Sequence, residues 1–320
     1  MKVLFFGLEY QNYTRAIISE IECAGAEVTF VDLQPRSVPY KILRTLVPGI
    51  FSGVIDKQLV QAIEDSKATA FDTVIFLQAH QMPVEILRTL RLAQKQAKFI
   101  LYNWDAVSTH NYLPQAAFFD KVFTFDPIDA NEHGFHYLPL FCQRDMQSLN
   151  RDESLPCHVY TVGNIVNPLR YDAIKAFEAY CDKNGIGFEA FMKISPVIYF
   201  KFLLKGRIPR GVTFRSIDPI AFRDLVERST ATFDFANHQL QSGHTMRTFE
   251  NLCAGKKIIT NNQQILNESF FSEDRVFVYE EFNYEGVQSF LARPVKDPKA
   301  TFDEYHIQTF VRKLIGAEMD

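Results

Sequence analysis

The chain has 320 residues, more than one ordinary domain holds, and is 47% hydrophobic and 22% charged, a globular balance with ample material for cores. A formal net charge of −4 leaves no footprint for broad nucleic-acid binding, so no nucleic-acid partner is expected. No run approaches the ~18 consecutive apolar residues of a membrane span. The opening Met1-Lys2-Val3-Leu4-Phe5-Phe6-Gly7 turns polar at Glu9, Gln11 and Asn12, too soon for a secretory leader. The five cysteines (Cys23, Cys142, Cys157, Cys181 and Cys253) are odd in number, scattered and without CxxC spacing. They point to a reducing, cytoplasmic compartment and to no zinc site.

Taken in chain order, KVLFFG (2–7) reads as a buried strand, and a helical pattern through Ile17, Ile18 and Ile21 stops at Gly25. EVTFVDL is a second strand, followed by TVIFLQA (73–79), a helix over 83–96, FILYNW (99–104), KVFTFD (121–126) and FHYLPLF (135–141). Short continuous apolar strands alternating with amphipathic helices predict a parallel sheet covered on both faces. The polar, proline-terminated stretch over 146–156 is expected to be a linker. Alternation then resumes with HVYTVGN (158–164), a helix from Pro168 to Lys183, GFEAFMK (187–193) and GVTFRS (211–216). Asp218-Pro219 has the capping residue and first-turn proline of a helix start. ATFDF (231–235), KIITN (257–261) and RVFVY (275–279) complete the second set, and Thr301 to Ile315 reads as a terminal helix. The expected architecture is α/β: an amino-terminal Rossmann-like domain over 1–145 facing, across a cleft, a second such domain over 157–300. The terminal helix, within 301–320, is expected to pack back on the first half.

One stretch carries the functional argument. ATFDF ends at Phe235, and "GHTMRTFENLCAGKKIITNN" (243–262) places a helix start just beyond that strand end. Met246, Phe249 and Cys253 give the helix its apolar spacing, and Gly255 stands where a left-handed residue ends it. Ligands of open α/β sheets sit beyond the carboxyl ends of strands. A helix N-terminus there offers N–H groups and a positive dipole end, suited to phosphate. Gly243 would let the backbone approach closely, and His244, Thr245 and Arg247 can donate to phosphate oxygens. Glu250, one turn beyond Arg247, can accept from ribose hydroxyls. The same i, i+3 spacing also describes a solvated ion pair contributing only ~0.2–0.5 kcal/mol. His238 reads as a loop histidine.

This stretch resembles the donor-site segment of GT-B glycosyltransferases, in particular the bacterial spore-maturation-like and lipopolysaccharide or capsule group. In that group a Gly-x-Thr-x-Arg-x-x-Glu helix precedes Gly-Lys-Lys and a strand ending Thr-Asn. The stretch 101–141 is similar too, with Trp104-Asp105 and Phe125-Asp126-Pro127 at the family's places, and "YTVGN" resembles the strand and glycine, Gly163, that open the donor domain. Gln78-Ala79-His80 departs from the resemblance, which leads one to expect a lysine-glycine pair there. The resemblance implies a metal-independent transferase with no cofactor, a nucleotide-sugar as substrate and a glycan or lipid-linked acceptor. Donor contacts would come from Gly163, Gly243, His244, Thr245, Arg247, Glu250 and Asn261.

On the acceptor side, Asp105 ends a strand and could take a proton from an acceptor hydroxyl, or could instead cap the following turn. His110 and His80 are further base candidates. "GLEYQN" lacks GxGxxG, so nicotinamide binding has no support. Asp126 in Phe-Asp-Pro-Ile-Asp reads as a turn-shaping residue rather than a metal ligand. The segment 197–215 mixes apolar side chains with Lys201, Lys205, Arg207, Arg210 and Arg215 and suits either a membrane surface or an ordinary amphipathic helix and basic loop. A similar stretch runs from Lys41 to Val54. Two rival functions remain open at this level: a nucleotide-sugar epimerase, and a non-catalytic nucleotide- or glycan-binding component of an assembly complex.

Overall fold

Continuous apolar strands of the kind read above form two parallel six-stranded sheets. The computed structural model describes residues 1–9, 12–33, 48–147, 149, 158–236, 242–298 and 300–316, and of 48–54 the backbone only. His238, most of the expected linker over 146–156, and residues 41–47 of the Lys41 to Val54 stretch lie outside the described residues. The chain divides into two compact units: Met1–Leu140 with Gln239–Gly243 and Ile307–Asp320, and Phe141–His238 with His244–His306.

The first unit runs β1 (Lys2–Gly7), α1 (Tyr13–Cys23), β2 (Glu27–Asp32), α2 (Pro48–Ser66), β3 (Thr73–Leu77), α3 (Val84–Ala93), β4 (Lys98–Asn103), α4 (Leu113–Ala116), β5 (Lys121–Thr124), α5 (Pro127–His133) and β6 (His136–Tyr137). β3 is buried along its whole length, and β1 and β4 are buried at all but their first residue. That is the signature of a parallel sheet covered on both faces. The second unit runs α6 (Arg144–Gln147), β7 (His158–Ile165), α7 (Pro168–Asn184), β8 (Gly187–Ile194), α8 (Pro196–Leu204), β9 (Val212–Thr213), α9 (Pro219–Arg228), β10 (Ala231–Asp234), α10 (Met246–Cys253), β11 (Lys257–Thr260), β12 (Val276–Val278) and α11 (Val287–Ala292). The chain then enters α12 (Ile307–Ile315), which belongs to the first unit and packs on α1 and β4. Ile307, Phe310, Val311 and Leu314 form its buried stripe, and the Phe310 ring meets Tyr102 edge-on at 4.8 Å.

Sequence chemistry explains the punctuation. Four of the described helices open with a capping side chain and proline at the first position: Asp126-Pro127, Asn167-Pro168, Ser195-Pro196 and Asp218-Pro219. Gly255, at φ 70°, follows α10 in the left-handed conformation that glycine adopts without a Cβ penalty. Some expected elements are shorter. Only Val212–Thr213 of the 211–216 stretch pairs as strand, and only His136–Tyr137 of 135–141. The terminal helix starts at Ile307 rather than Thr301, after a single 3₁₀ turn at Asp303–Tyr305.

Both sheets reverse strand order beside their first strand. In the first unit β1 lies between β2 and β3; in the second β7 lies between β8 and β10. Crevices at such switch points, beyond the carboxyl ends of the strands, are where open α/β sheets take ligands.

Candidate functional site

At the β7/β10 switch point of the second unit the described side chains are strongly polar. Asp234 ends β10 and is buried, which pushes its carboxyl above the ordinary carboxylate range, while nearby Arg170 and Arg247 and the Thr245 hydroxyl pull it back. Thr245 Oγ1 donates to Asp234 Oδ2 at 3.0 Å. Thr245 is also the residue that precedes α10, and with its hydroxyl turned to Asp234 it does not cap that helix. The N-terminal N–H groups of α10 therefore keep the electropositive character that attracts anions.

Arg247, in the first turn, lays its guanidinium over the Phe222 ring at 4.1 Å and donates from Nη1 to Glu250 Oε2 at 2.6 Å. The two side chains are 16% and 2% exposed, so the pair is no solvated ladder on a helix face. A buried pair of this kind costs desolvation, and its fixed geometry is what the protein gains. Behind it Tyr160 Oη exchanges hydrogen bonds with the Asn251 amide at 2.8–3.0 Å, and Asn251 Nδ2 also donates to Arg247 O.

Arg170 was not singled out by sequence reasoning. Asn167 caps α7 by accepting from Arg170 N at 2.9 Å, which sets Arg170 in the first turn beside β7. A Cβ added at Gly163 would lie 2.6 Å from Arg170 Nη2, so the glycine leaves room for the guanidinium. Tyr279, just past β12, has a buried hydroxyl with no hydrogen-bond partner among the described residues. Burial raises its pKa strongly, and it lies close enough to Asp234 and Arg170 for their charges to act on it. The signal that could have found Arg170 is Asn167-Pro168, the same helix-opening pattern read correctly at Asp218-Pro219.

Other expected contacts have a protein partner instead of an open face. His244 is buried, with Nε2 2.8 Å from Glu268 Oε1 and Nδ1 3.2 Å from Asn262 Nδ2. Because the Asn262 oxygen accepts from Gln264 N, its amide nitrogen faces the ring, which makes Nδ1 the acceptor and leaves Nε2–H to donate to Glu268. Neither nitrogen remains for phosphate. Asn261 receives from Ala236 N at 2.7 Å and donates to Ala236 O at 3.1 Å, pinning the segment that follows β10. Gly243 is counted in the first unit, where a Cβ would meet the Phe125 ring at 2.5 Å and the Phe125 carbonyl oxygen at 2.6 Å. Its missing side chain serves packing on Phe125. Asp126 caps α5 and accepts from Ser242 N and Oγ, both at 2.6 Å, and from Gly243 N at 3.2 Å. It shapes a turn, as read from the sequence, and anchors a second segment as well. The Lys256-Lys257 pair is turned inward. Lys256 Nζ donates to Glu227 O at 2.8 Å, and Lys257 Nζ donates to the carbonyls of Phe290, Leu291 and Arg293 at the end of α11.

In the first unit the three base candidates come together at the ends of β3 and β4. The His80 and His110 rings stack with centroids 4.1 Å apart. Gln78 Nε2 makes a short hydrogen bond to Asp105 Oδ2, and Gln78 N donates to Tyr102 O at 2.9 Å. Gln78 holds φ 67°, a left-handed conformation costly for a non-glycine residue and one that concentrates at functional sites. Burial raises the Asp105 pKa, against the opposing effects of His110 and the Gln78 hydrogen bond. Burial, with His110 alongside, lowers His80 to about 4. A carboxylate made more basic by burial suits proton abstraction from a hydroxyl.

No protein-family model matches the chain, and no curated protein matches its sequence. Solved structures do match its fold. The lipopolysaccharide outer core galactosyltransferase WaaB is 11% identical, with both chains covered in full and a TM-score of 0.57. The E. coli trehalose-6-phosphate protein bound with UDP-2-fluoro glucose is 10% identical over 99% of this chain and 98% of that one, at a TM-score of 0.61. A putative UDP-N-acetylglucosamine 2-epimerase from Listeria monocytogenes is 12% identical over 99% and 95%, at 0.58. The fold is thus α/β with two Rossmann-like units, of the GT-B type.

Proposed function

We propose that the chain is a glycosyltransferase that moves a sugar from a nucleotide-sugar to a glycan or lipid-linked acceptor in surface polysaccharide assembly. The observation that carries this reading is the buried Arg247–Glu250 pair in the first turn of α10, next to Asp234, Arg170 and Gly163 at the switch point of the second unit. Arg247 and Arg170, with the first N–H groups of α10, would hold the diphosphate, and Glu250 would accept from ribose. Thr245 would orient Asp234, while His244 and Asn261 would position this machinery without touching the donor and Gly243 would serve packing on Phe125. Asp105 would act as general base on the acceptor hydroxyl, with Gln78 and His110 setting its basicity. No cofactor or metal is invoked in this transfer.

Peripheral contact with a membrane surface belongs to the same proposal. In and just after α8, Val197, Phe200, Leu204, Ile208 and Phe214 are exposed, interleaved with exposed Lys201, Lys205, Arg210 and Arg215. Apolar side chains among cations are what an anionic lipid surface binds. Among the described residues no helix is long and apolar enough to cross a membrane.

The test is a thermal-shift screen against UDP, GDP, CMP and dTDP, since a ligand at 100 times its Kd stabilises by ~2.7 kcal/mol. One nucleotide diphosphate should raise the midpoint; failure of all four at millimolar concentration would sink the donor reading. The epimerase alternative has less support, resting on the one epimerase fold match named above, at 12% identity. It requires turnover of the nucleotide-sugar without acceptor, whereas the transferase requires acceptor for sugar to leave the nucleotide. A binding component would leave the donor intact with every acceptor supplied.

A further inference from the structure

Cys142, Cys253 and His306 meet inside the second unit, with one ligand atom from each lying within 4.8 Å of the others. The three are far apart in sequence, so the number, scatter and spacing of the cysteines, on which the expectation of no zinc site rested, do not reveal them. Cys142 lies where the chain enters the unit, His306 where it leaves, and Cys253 ends α10. An isolated parallel bridge joins Cys142 to His306, and Cys142 N donates to Tyr305 O at 2.9 Å. Two of the ligands are thus fixed by backbone pairing, independently of any ion. Both cysteines are buried and His306 is half-buried.

The donor set selects the ion. Two sulfurs and an imidazole suit a borderline-soft cation, and without a carboxylate among them they do not suit Mg²⁺ or Ca²⁺. Atoms at that spacing lie no more than ~2.8 Å from a common centre, against ~2.3 Å for Zn–S and ~2.0–2.1 Å for Zn–N, a gap that small side-chain rotations close. Outer partners stand ready. Gln147 Nε2 lies 3.9 Å from Cys142 Sγ, and Asp303 Oδ1 lies 3.5 Å from His306 Nδ1, the carboxylate–histidine pairing common around bound zinc.

We propose that Cys142, Cys253 and His306 bind one Zn²⁺, with water in the fourth position. Binding displaces one proton from each thiol to solvent, so the cation is neutralised by two thiolates and no electron is transferred. The ion ties the entering segment, the leaving segment and the end of α10 into one cross-link. It takes no part in sugar transfer, and the inference stands or falls apart from that reading.

The test uses the full chain, reduced, stripped by chelator and titrated with Co²⁺ under argon. Near-ultraviolet thiolate-to-cobalt absorption with intense bands in the red, saturating at about one equivalent and abolished by Zn²⁺, is the expected result for a tetrahedral sulfur–nitrogen site. Cys142→Ser, Cys253→Ser and His306→Ala should each weaken Co²⁺ binding more than ~10-fold, with Cys23→Ser, an exposed cysteine outside the cluster, binding as the parent. The spectrum of the parent chain needs no variant to fold. Absence of thiolate absorption at saturating Co²⁺ overturns the proposal, as do bands that survive in both cysteine variants or a Cys142–Cys253 disulfide in protein purified without oxidant.

Discussion

At the ends of β3 and β4 the first unit gathers Gln78, His80, Asp105 and His110; at the ends of β7 and β10 the second gathers Gly163, Asp234 and Thr245 with Arg170, Arg247 and Glu250. Both sets occupy the crevice end of a parallel sheet that reverses order at its first strand. The backbone is alike and the chemistry is not. The first set holds titratable side chains, and burial has moved two of them off their ordinary values, Asp105 upward and His80 downward. The second is built on guanidinium, whose charge does not change. Proton abstraction needs the former, and holding a diphosphate needs the latter. The proposed function assigns proton handling to the first set and anion binding to the second.

The largest expected effect tests the proton-handling side. Asp105→Asn keeps shape and hydrogen-bonding reach but removes basicity, so turnover should fall by about 10²–10⁴-fold with donor affinity nearly unchanged. Near-normal turnover would move the role to His110 or His80, and a retaining outcome read from product anomers would remove the need for a base. Next comes the anion side. Arg247→Ala should weaken nucleotide binding by ~1.5–3 kcal/mol, measured calorimetrically. Because Glu250 is left buried without its cation, the melting temperature should fall as well, unlike the outcome for an exposed pair. Unchanged nucleotide affinity in Arg247→Ala and Glu250→Gln, both folded, would reduce the pair to a packing device.

Two glycines sharpen the contrast further. At Gly243 a Cβ meets ring and backbone atoms of Phe125, which cannot move cheaply, so Gly243→Ala should cost ~1–3 kcal/mol of stability. At Gly163 the Cβ meets only the flexible end of Arg170. Gly163→Ala should therefore cost less in stability than Gly243→Ala and more in nucleotide affinity, by displacing the guanidinium. The reverse ranking would show that Gly163, and not Gly243, is the packing glycine.

The alternation of apolar runs was enough to read two parallel sheets, because a strand buried on both faces must be apolar along its length. Asp126 as a turn-former and Gly255 as a helix stop were also readable, since capping depends on residues within a few positions. What could not be read is what depends on partners distant in the chain. His244 looks like a phosphate donor until Asn262 and Glu268 take both its nitrogens. Gly243 looks like an approach to ligand until Phe125 fills the space. Asn167-Pro168 marks Arg170 only as a first-turn residue of a helix, and its importance shows when Gly163 and Asp234 are brought beside it. The Arg247–Glu250 spacing fits a solvated and a buried pair equally, and only packing on Phe222 separates them.

The smallest effect concerns stability against pH, and it returns to the histidines that mark the first unit's set. His80 has a folded-state pKa of about 4, lowered first by burial and then by His110, against 6.5 unperturbed. Between these values the unfolded chain binds the proton and the folded chain does not, so stability rises with pH across the window and is lost as pH falls through it. The full shift would correspond to ~3 kcal/mol, but the His80 ring is only partly buried and solvent screening reduces the expectation to ~1 kcal/mol. Denaturant unfolding at pH 4.5 and pH 7 should reveal the slope, and His80→Gln should flatten it without touching nucleotide affinity at pH 7. An unchanged slope in His80→Gln would mean that His80 titrates as an ordinary surface histidine. The first unit's set would then differ from the second's by Asp105 alone.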